Sequence, residues 1–429
     1  MQKTLTLIIL IGCLFLLGSS SWKTMSYRID DTLPENKTQN SNLFCLKSND
    51  TQTSTLRSTT TTLSAITKNL PKGEAPTSLY SRACALMDAD TGRLLYGKEE
   101  NTPMPMASTT KIMTCIIALE YGNLSDKVTT SAYAASMPDV QLNMREGDVY
   151  ILQDLLYSLM LESHNDTAVA IAEHIGGSVE GFARLMNDKA DELGLTKTHF
   201  VTPNGLDDDN HYTTAKELAE ISAYAITNPD FVAIVNTPSY DFTEQTSGRS
   251  YHVTNRDAFL TMYEGAIGIK TGFTNNAGYC FAGAVKAENH TYISTVLACG
   301  WPPNKSYKWS DTTKLMNYAK EGFTDCQISP GKTKLSPVPV ENGKEASVKV
   351  RLSDSSKIPM LLSGNDTVTR TITLPDRITA PVREGDILGS MTYRLNGTEY
   401  AKIPIIAAKS VEKLSFSDYT LSLFKLFCP

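Results

Sequence analysis

The sequence predicts an α/β (α+β) domain carrying a helical subdomain, followed by a small all-β domain and a C-terminal amphipathic helix. Three observations lead there. Apolar strands come first, then a run of helical periodicities, then strands again, the order expected of a sheet covered by helices. Past Pro330 the texture turns to short alternating strands separated by turn residues. After Val411 the chain becomes greasy and lightly basic. At 429 residues it is longer than an ordinary compact domain, and 41% apolar with 20% charged residues is a globular composition. A formal charge of −6, without a dense Lys/Arg run, argues against nucleic acid as a partner.

Residues 1–21 read as an export signal. Lys3 supplies a positive start, Leu5 to Leu17 an apolar core, and Gly18 to Ser21 small residues for cleavage. The apolar run is too short for a bilayer span. Leu10-Ile11-Gly12-Cys13 has the local form of a lipoprotein signal, yet Leu14 to Leu17 carry the apolar stretch past that cysteine. Residues 22–76 read as a disordered Ser/Thr-rich linker. Between Thr51 and Thr67, 11 of 17 residues are Ser or Thr, too few large apolar groups to offset ordering entropy. Order is expected from about Leu79.

Residues 77–326 make the main domain. Ala83 to Met87 and Arg93 to Tyr96 read as strands around an Asp90-Thr91-Gly92 turn. Ile112, Ile116, Ile117 and Leu119 then recur at helical spacing, as do Leu152, Leu155, Leu156, Leu159 and Met160. A helix from Ala168 to Ile175 is expected to stop at Gly176-Gly177. Phe182, Met186, Ala190 and Leu193 line another helical face. Strands return at Ala266 to Thr271, Tyr279 to Val285 and Tyr292 to Cys299. Residues 331–408 make the small β domain, where Asn396-Gly397 between two alternating runs is a strong hairpin signal.

Chemistry concentrates in three short segments. In Ser108-Thr109-Thr110-Lys111 the amine reaches the hydroxyl because i and i+3 share a helix face. Near a helix start, free N–H groups favour developing negative charge. Lys111 is a base only if its pKa falls toward neutrality, by burial or by a neighbouring cation such as Lys270. Ser163-His164-Asn165 lies between helical runs, where Ser163 is placed to relay a proton and Asn165 to orient Lys111 or hold an amide. Lys270-Thr271-Gly272 ends an apolar strand, a cation and a hydroxyl suited to a carboxylate. The Phe273 N–H, with that of Ser108, can serve as an oxyanion hole. Singly, each segment has a plain reading: a helix cap, a capping turn, an edge-strand lysine. Their order changes the odds, because SxxK, SxN and KTG in sequence mark penicillin-binding proteins and class A β-lactamases.

Pro105 to Thr114, Gly268 to Gly272 and Leu86-Met87-Asp88 resemble the serine D-alanyl-D-alanine carboxypeptidases, the low-molecular-mass penicillin-binding proteins. The likeness spans about Leu79 to Phe427. It implies a serine β-lactamase/transpeptidase-like domain that removes the terminal D-Ala of peptidoglycan pentapeptide stems through an acyl-Ser108 intermediate, limiting cross-linking. Ser108 would attack, Lys111 accept the proton and Ser163 pass it on. Lys270 and Thr271 would hold the terminal carboxylate, and β-lactam antibiotics would inhibit by acylating Ser108. His164 stands where many members carry glycine, and Phe273 where some carry histidine. Asn204 to Tyr212 resembles a family loop and is assigned a structural role.

No cofactor and no metal is expected: His174, His199, His211, His252 and His290 lack zinc-site spacing. The eight cysteines form no CxxC pair and read mostly as buried thiols. Arg256 is a candidate carboxylate contact, with a surface role favoured. Residues 409–429, with Val411, Leu414, Phe416, Tyr419 and Leu421 among basic side chains, suit an interfacial helix making peripheral membrane contact. The protein is thus expected to be exported, to the outer face of the cytoplasmic membrane or to the extracellular space and cell wall. A class A β-lactamase is disfavoured for want of an ExxLN-like segment after SxN. A D,D-endopeptidase or transpeptidase, or a catalytically dead penicillin-binding sensor or scaffold, are the alternatives.

Overall fold

The computed structural model describes residues 55–138 and 140–420. The expected export signal, the first part of the linker and the last nine residues of the tail fall outside the described residues. The first described element is strand β1 (Leu56–Thr62). A hairpin of β2 (Ala83–Asp88) and β3 (Arg93–Lys98) follows. Next come helices α1 (Lys111–Tyr121), α2 (Leu152–Leu161), α3 (Asn165–Gly176), α4 (Val179–Glu192) and α5 (Ala215–Ala225). Strands β4 (Ala266–Thr274), β5 (Gly278–Ala287) and β6 (His290–Leu297) return the chain to the sheet, and α6 (Tyr307–Gly322) closes the domain.

The main sheet is antiparallel, in the order β3-β2-β6-β5-β4. Both faces are covered, which explains why its strands read as continuous apolar runs rather than as alternations. Side chains of a strand alternate between faces. In β2, Ala83, Ala85 and Met87 pack toward the helical layer with Ile112, Ile116, Leu155 and Leu159. Cys84 and Leu86 pack the other way, with Phe281, Trp309, Leu315 and Met316 beneath α6. The apolar stripe of α2 is buried as its period demands. Helix α3 ends at Gly177, whose φ of 72° is the left-handed stop that glycine permits.

The C-terminal domain adds β7 (Thr324–Ile328), β8 (Val350–Leu352), β9 (Ile358–Leu362), β10 (Val368–Pro375), β11 (Ile387–Leu395) and β12 (Thr398–Ala407). Asn396 and Gly397 join β11 to β12 with φ of 50° and 89°, the double left-handed turn that a tight hairpin requires. Arg93 ties this domain to the main sheet, pairing with Asp366 at 2.7 Å and donating to the Leu361 carbonyl.

Two expectations need correction. The Thr-rich run expected to be disordered includes β1, an edge strand of the C-terminal sheet, whose order is β1-β10-β11-β12-β8. Leu56 faces Pro375 and Thr62 faces Thr369. Composition considered only burial. Here ladder hydrogen bonds and hydroxyl pairs, Ser58 to Thr373 at 3.0 Å and Thr60 to Thr371 at 2.9 Å, hold a β-branched segment whose partner lies far along the chain. The second correction concerns the tail. Val411 is buried in the β-domain core and bridges to Val382, while Lys413 bridges to Gly343. Leu414 N–H still donates to the Asn342 carbonyl at 2.8 Å and the Tyr419 hydroxyl to Asn342 Oδ1 at 3.3 Å, while the Phe416 and Tyr419 side chains are exposed.

Candidate active site

The site is built on a strained turn. Ala107 to Thr110 form a single 3₁₀ turn that runs directly into α1, so Ser108 and Lys111 face one direction. Ala107 has φ 49°, a left-handed conformation that costs a side-chain-bearing residue about 1–2 kcal/mol. Neighbours hold it. Thr110 Oγ1 donates to the Ala107 carbonyl at 2.8 Å and lies 2.7 Å from His211 Nε2. His211 Nδ1 accepts the Val201 N–H at 3.0 Å, so its proton is on Nε2 and points at Thr110. Burial keeps this imidazole neutral, its pKa pushed down to about 4.

Lys111 is wholly buried, and its Nζ lies 2.9 Å from Ser108 Oγ, 2.9 Å from Asn165 Oδ1 and 2.7 Å from the Asn204 carbonyl. Two of these partners only accept. A neutral amine has two N–H donors for them, which leaves its lone pair for the Ser108 hydroxyl proton. Electrostatics favours that state: burial, then the Lys270 charge, hold Lys111 well below the usual lysine range, against an opposing pull from Asp166. The geometry therefore presents a base hydrogen-bonded to a hydroxyl.

Ser163 and His164 fill the break between α2 and α3. Ser163 has φ 71°, and its buried Oγ has no hydrogen-bond partner among the described residues. Asn165 opens α3, and its Nδ2 donates to the Pro138 carbonyl at 3.0 Å, which turns Oδ1 toward Lys111. His164 is buried and holds the break to the end of α2: its Nδ1 lies 2.8 Å from Ser158 Oγ and its Nε2 3.3 Å from Glu162 Oε2. Burial lowers its pKa, so it is neutral at pH 7.

The third wall is β4, an edge strand. A Cβ on Gly272 would lie 3.0 Å from the Ser108 nitrogen and 3.1 Å from that of Thr109. Only glycine allows this strand so close to the serine turn. Lys270 is 2% exposed and donates to the Thr271 carbonyl at 3.2 Å. Burial brings its pKa down to about 7, with Asp257 pulling the other way. Thr271 is half-buried, and Phe273 is exposed at the rim, 4.7 Å between ring centroids from Tyr279.

The three motifs thus meet around one point. Ser108, Lys111 and Asn165 touch directly; Gly272 abuts the serine turn; Lys270 is near enough to depress Lys111. Arg256 is exposed and pairs with Glu162 at 2.9 Å. Asn204, read from sequence as structural only, supplies a carbonyl to Lys111. A main-chain acceptor leaves no side-chain signature, although the Asn-Gly dipeptide does mark the tight turn that aims it. The described cysteines are all free, four of them buried. Burial raises the Cys115 thiol, leaving it inert as a nucleophile despite its place on α1.

Fold and site together define a class: enzymes that pass an acyl group through a serine activated by a buried lysine. Known proteins narrow it. The family model for D-alanyl-D-alanine carboxypeptidase, Peptidase_S11, matches residues 70–300, and that of the penicillin-binding protein 5 C-terminal domain matches residues 323–413. The chain is 30% identical over 363 residues to the D-alanyl-D-alanine carboxypeptidase DacF of Bacillus subtilis, covering 83% of this chain and 92% of that protein. It is 36% identical over 248 residues to the D-alanyl-D-alanine carboxypeptidase of Streptomyces sp. strain K15, covering 54% and 84%. Among solved structures, penicillin-binding protein 5 of Haemophilus influenzae superposes with a TM-score of 0.62 at 27% identity, over 80% of this chain and all of that one. The chain belongs to the D-alanyl-D-alanine carboxypeptidase family, among the low-molecular-mass penicillin-binding proteins.

Proposed function

We propose that this serine D-Ala-D-Ala carboxypeptidase trims peptidoglycan stem peptides through an acyl-enzyme on Ser108. The observation that carries the reading is the 2.9 Å contact between Ser108 Oγ and a buried Lys111 amine held toward its neutral form. In acylation, the Ser108 Oγ–C bond forms at the penultimate D-Ala carbonyl while its proton passes to Lys111 Nζ. The C–N bond to the terminal D-Ala then breaks, and the leaving amine takes that proton. The Ser163 hydroxyl is placed to relay it, since its Oγ has no partner to give up among the described residues. Asn165 keeps the Lys111 lone pair on Ser108. Lys270 and Thr271 receive the substrate carboxylate, the peptide lying along the open edge of β4. The Ser108 and Phe273 N–H groups take the oxyanion. Water then cleaves the Ser108 ester by the same proton path reversed. A β-lactam presents the same carbonyl and carboxylate, and acylates Ser108 as a mimic.

The family's wall substrate places this work outside the cytoplasm, and the segment after Lys413 supports a peripheral membrane contact. Exposed Phe416 begins it, and Leu421, Leu423, Phe424, Leu426 and Phe427 continue it. Among the described residues no helix is long and apolar enough to cross a membrane.

Incubation with a pentapeptide muropeptide, followed by mass spectrometry, tests the proposal. Loss of one alanine, abolished in Ser108→Ala, is expected. Retention of that activity in Ser108→Ala would sink it. A transpeptidase reading has one support: the similar Streptomyces K15 protein is also described as a DD-transpeptidase, at a TM-score of 0.54 and 33% identity. Transfer of the acyl group to an added amine, in place of hydrolysis, would favour it.

A further inference from the structure

The peptide group between Ala107 and Ser108 faces two ways. Its N–H is that of Ser108, and a Cβ on Gly272 of β4 would lie 3.0 Å from that nitrogen. Its carbonyl is that of Ala107, buried and held at φ 49°. The carbonyl accepts the Thr110 hydroxyl at 2.8 Å. A threonine that bonds back along its own turn is common. Thr109 makes the plain form of this bond, to the Met106 carbonyl at 2.6 Å. Thr110 differs in what stands behind it.

Thr110 Oγ1 lies 2.7 Å from His211 Nε2, and His211 Nδ1 accepts the Val201 N–H at 3.0 Å. One direction of protons satisfies every contact. The Val201 N–H gives to Nδ1, the Nε2–H gives to the Thr110 oxygen, and the Thr110 O–H gives to the Ala107 carbonyl. An imidazolium would aim an N–H at that of Val201, so the chain of bonds requires the neutral ring, and burial favours it. Thr110 is 1% exposed and His211 3%, and Gly205 packs directly against the Ala107 carbonyl. Hydrogen bonds that all point one way in a buried site polarise one another along the chain.

We propose that Thr110 and His211 are positioning residues that polarise the Ala107–Ser108 peptide and make the Ser108 N–H a stronger donor to the oxyanion. This rests on the reading of that N–H as one half of the oxyanion hole. A donor on the oxygen of an amide draws electron density off its nitrogen through the shared resonance, so the N–H becomes more positive. The same bonds hold Ala107 in its left-handed conformation, which sets where that N–H points. The reacting carbonyl is thus served from behind by a histidine buried beneath the serine turn.

The test is Thr110→Val in the full chain, which keeps the shape of the side chain and removes the hydroxyl. Penicillin isotope-labelled at its β-lactam carbonyl is loaded onto Ser108, and the acyl-enzyme carbonyl stretch is read by difference infrared spectroscopy. Stopped flow gives the acylation rate constant and the dissociation constant that precedes it. A strong donor in the hole lowers the carbonyl frequency, so the band of the variant should move up. One bond of a polarised chain adds about 10–30% to its neighbour, and an oxyanion donor is worth about 10²–10³-fold in rate. Acylation should therefore slow by about two- to eightfold, with the preceding dissociation constant unchanged. Thr110→Ser keeps the hydroxyl and should restore band and rate. His211→Phe removes only the upstream donor and should move the band the same way by less; it decides the matter if the valine variant does not fold. A band that stays at the wild-type position in these variants would overturn the proposal, whatever their rates and melting temperatures. Residues that only brace the turn would slow acylation without retuning the carbonyl. If the wild-type chain releases no D-Ala from a pentapeptide, the carboxypeptidase reading fails, while the band of the penicillin adduct still decides the role of Thr110 and His211.

Discussion

Replacing Gly205 with alanine should damage the site without touching a reacting atom. Gly205 has φ 82°, and a Cβ there would lie 2.0 Å from the Ala107 carbonyl oxygen, 2.5 Å from its carbon and 2.8 Å from Thr110 Oγ1. The two nearest atoms are main chain beside the nucleophile, so turning the Thr110 side chain aside would not relieve the clash. The two segments must part by about 1 Å to restore normal contact, and the left-handed φ adds roughly 1 kcal/mol. With overpacking of about 1–3 kcal/mol, the total is roughly 2–4 kcal/mol, or a melting temperature lower by roughly 4–16 °C. Function should suffer more than stability. The displaced turn carries Ser108 on one side, and the Asn204 carbonyl that orients Lys111 on the other. A misplacement of about 1 Å costs on the order of 10²-fold in rate. The assay is the second-order rate of acylation by a fluorescent penicillin, measured below the variant's melting temperature. A Gly205→Ala protein that acylates at the wild-type rate would refute the claim that this turn sets the nucleophile.

Asn165→Ala should slow acylation by about 10²-fold while leaving KM for the tripeptide nearly unchanged, because it frees Lys111 rather than the carboxylate site. Lys270→Met should raise the melting temperature at pH 7 even as substrate binding is lost. The folded-state pKa of about 7 lies below the unfolded value, so the unfolded chain binds more protons and stability climbs from about pH 7 toward 10. That pH slope should flatten in the variant. Arg93→Ala leaves Asp366 buried without its guanidinium partner, and about 2–3 kcal/mol of stability should go with it; separate calorimetric transitions for the two domains would report the loss. Deleting residues 1–63 should lower amide protection in Val368–Pro375, which β1 covers, while penicillin labelling of Ser108 persists; hydrogen exchange checks both.

Local rules carried much of this molecule. The stripe of α2, the Gly177 stop, the Asn396-Gly397 turn and the apolar runs of the main sheet all follow from periodicity and turn chemistry within a few residues of chain. The order of SxxK, SxN and KTG pointed to one site by combination. Each of those signals is an arrangement of side chains that neighbouring positions impose on one another. What sequence reading missed depends on partners far along the chain. β1 was hidden because an edge strand with exposed threonines is stabilised by a backbone ladder, and a backbone ladder has no composition. Asn204 enters through a carbonyl, and Val411 through a bridge to Val382. Chemistry-bearing residue types are thus written in the one-dimensional string. Whether Lys111 is neutral, Lys270 charged and Ser163 unpartnered is not, because those states depend on desolvation and nearby charge, and both exist only once the chain has closed around them.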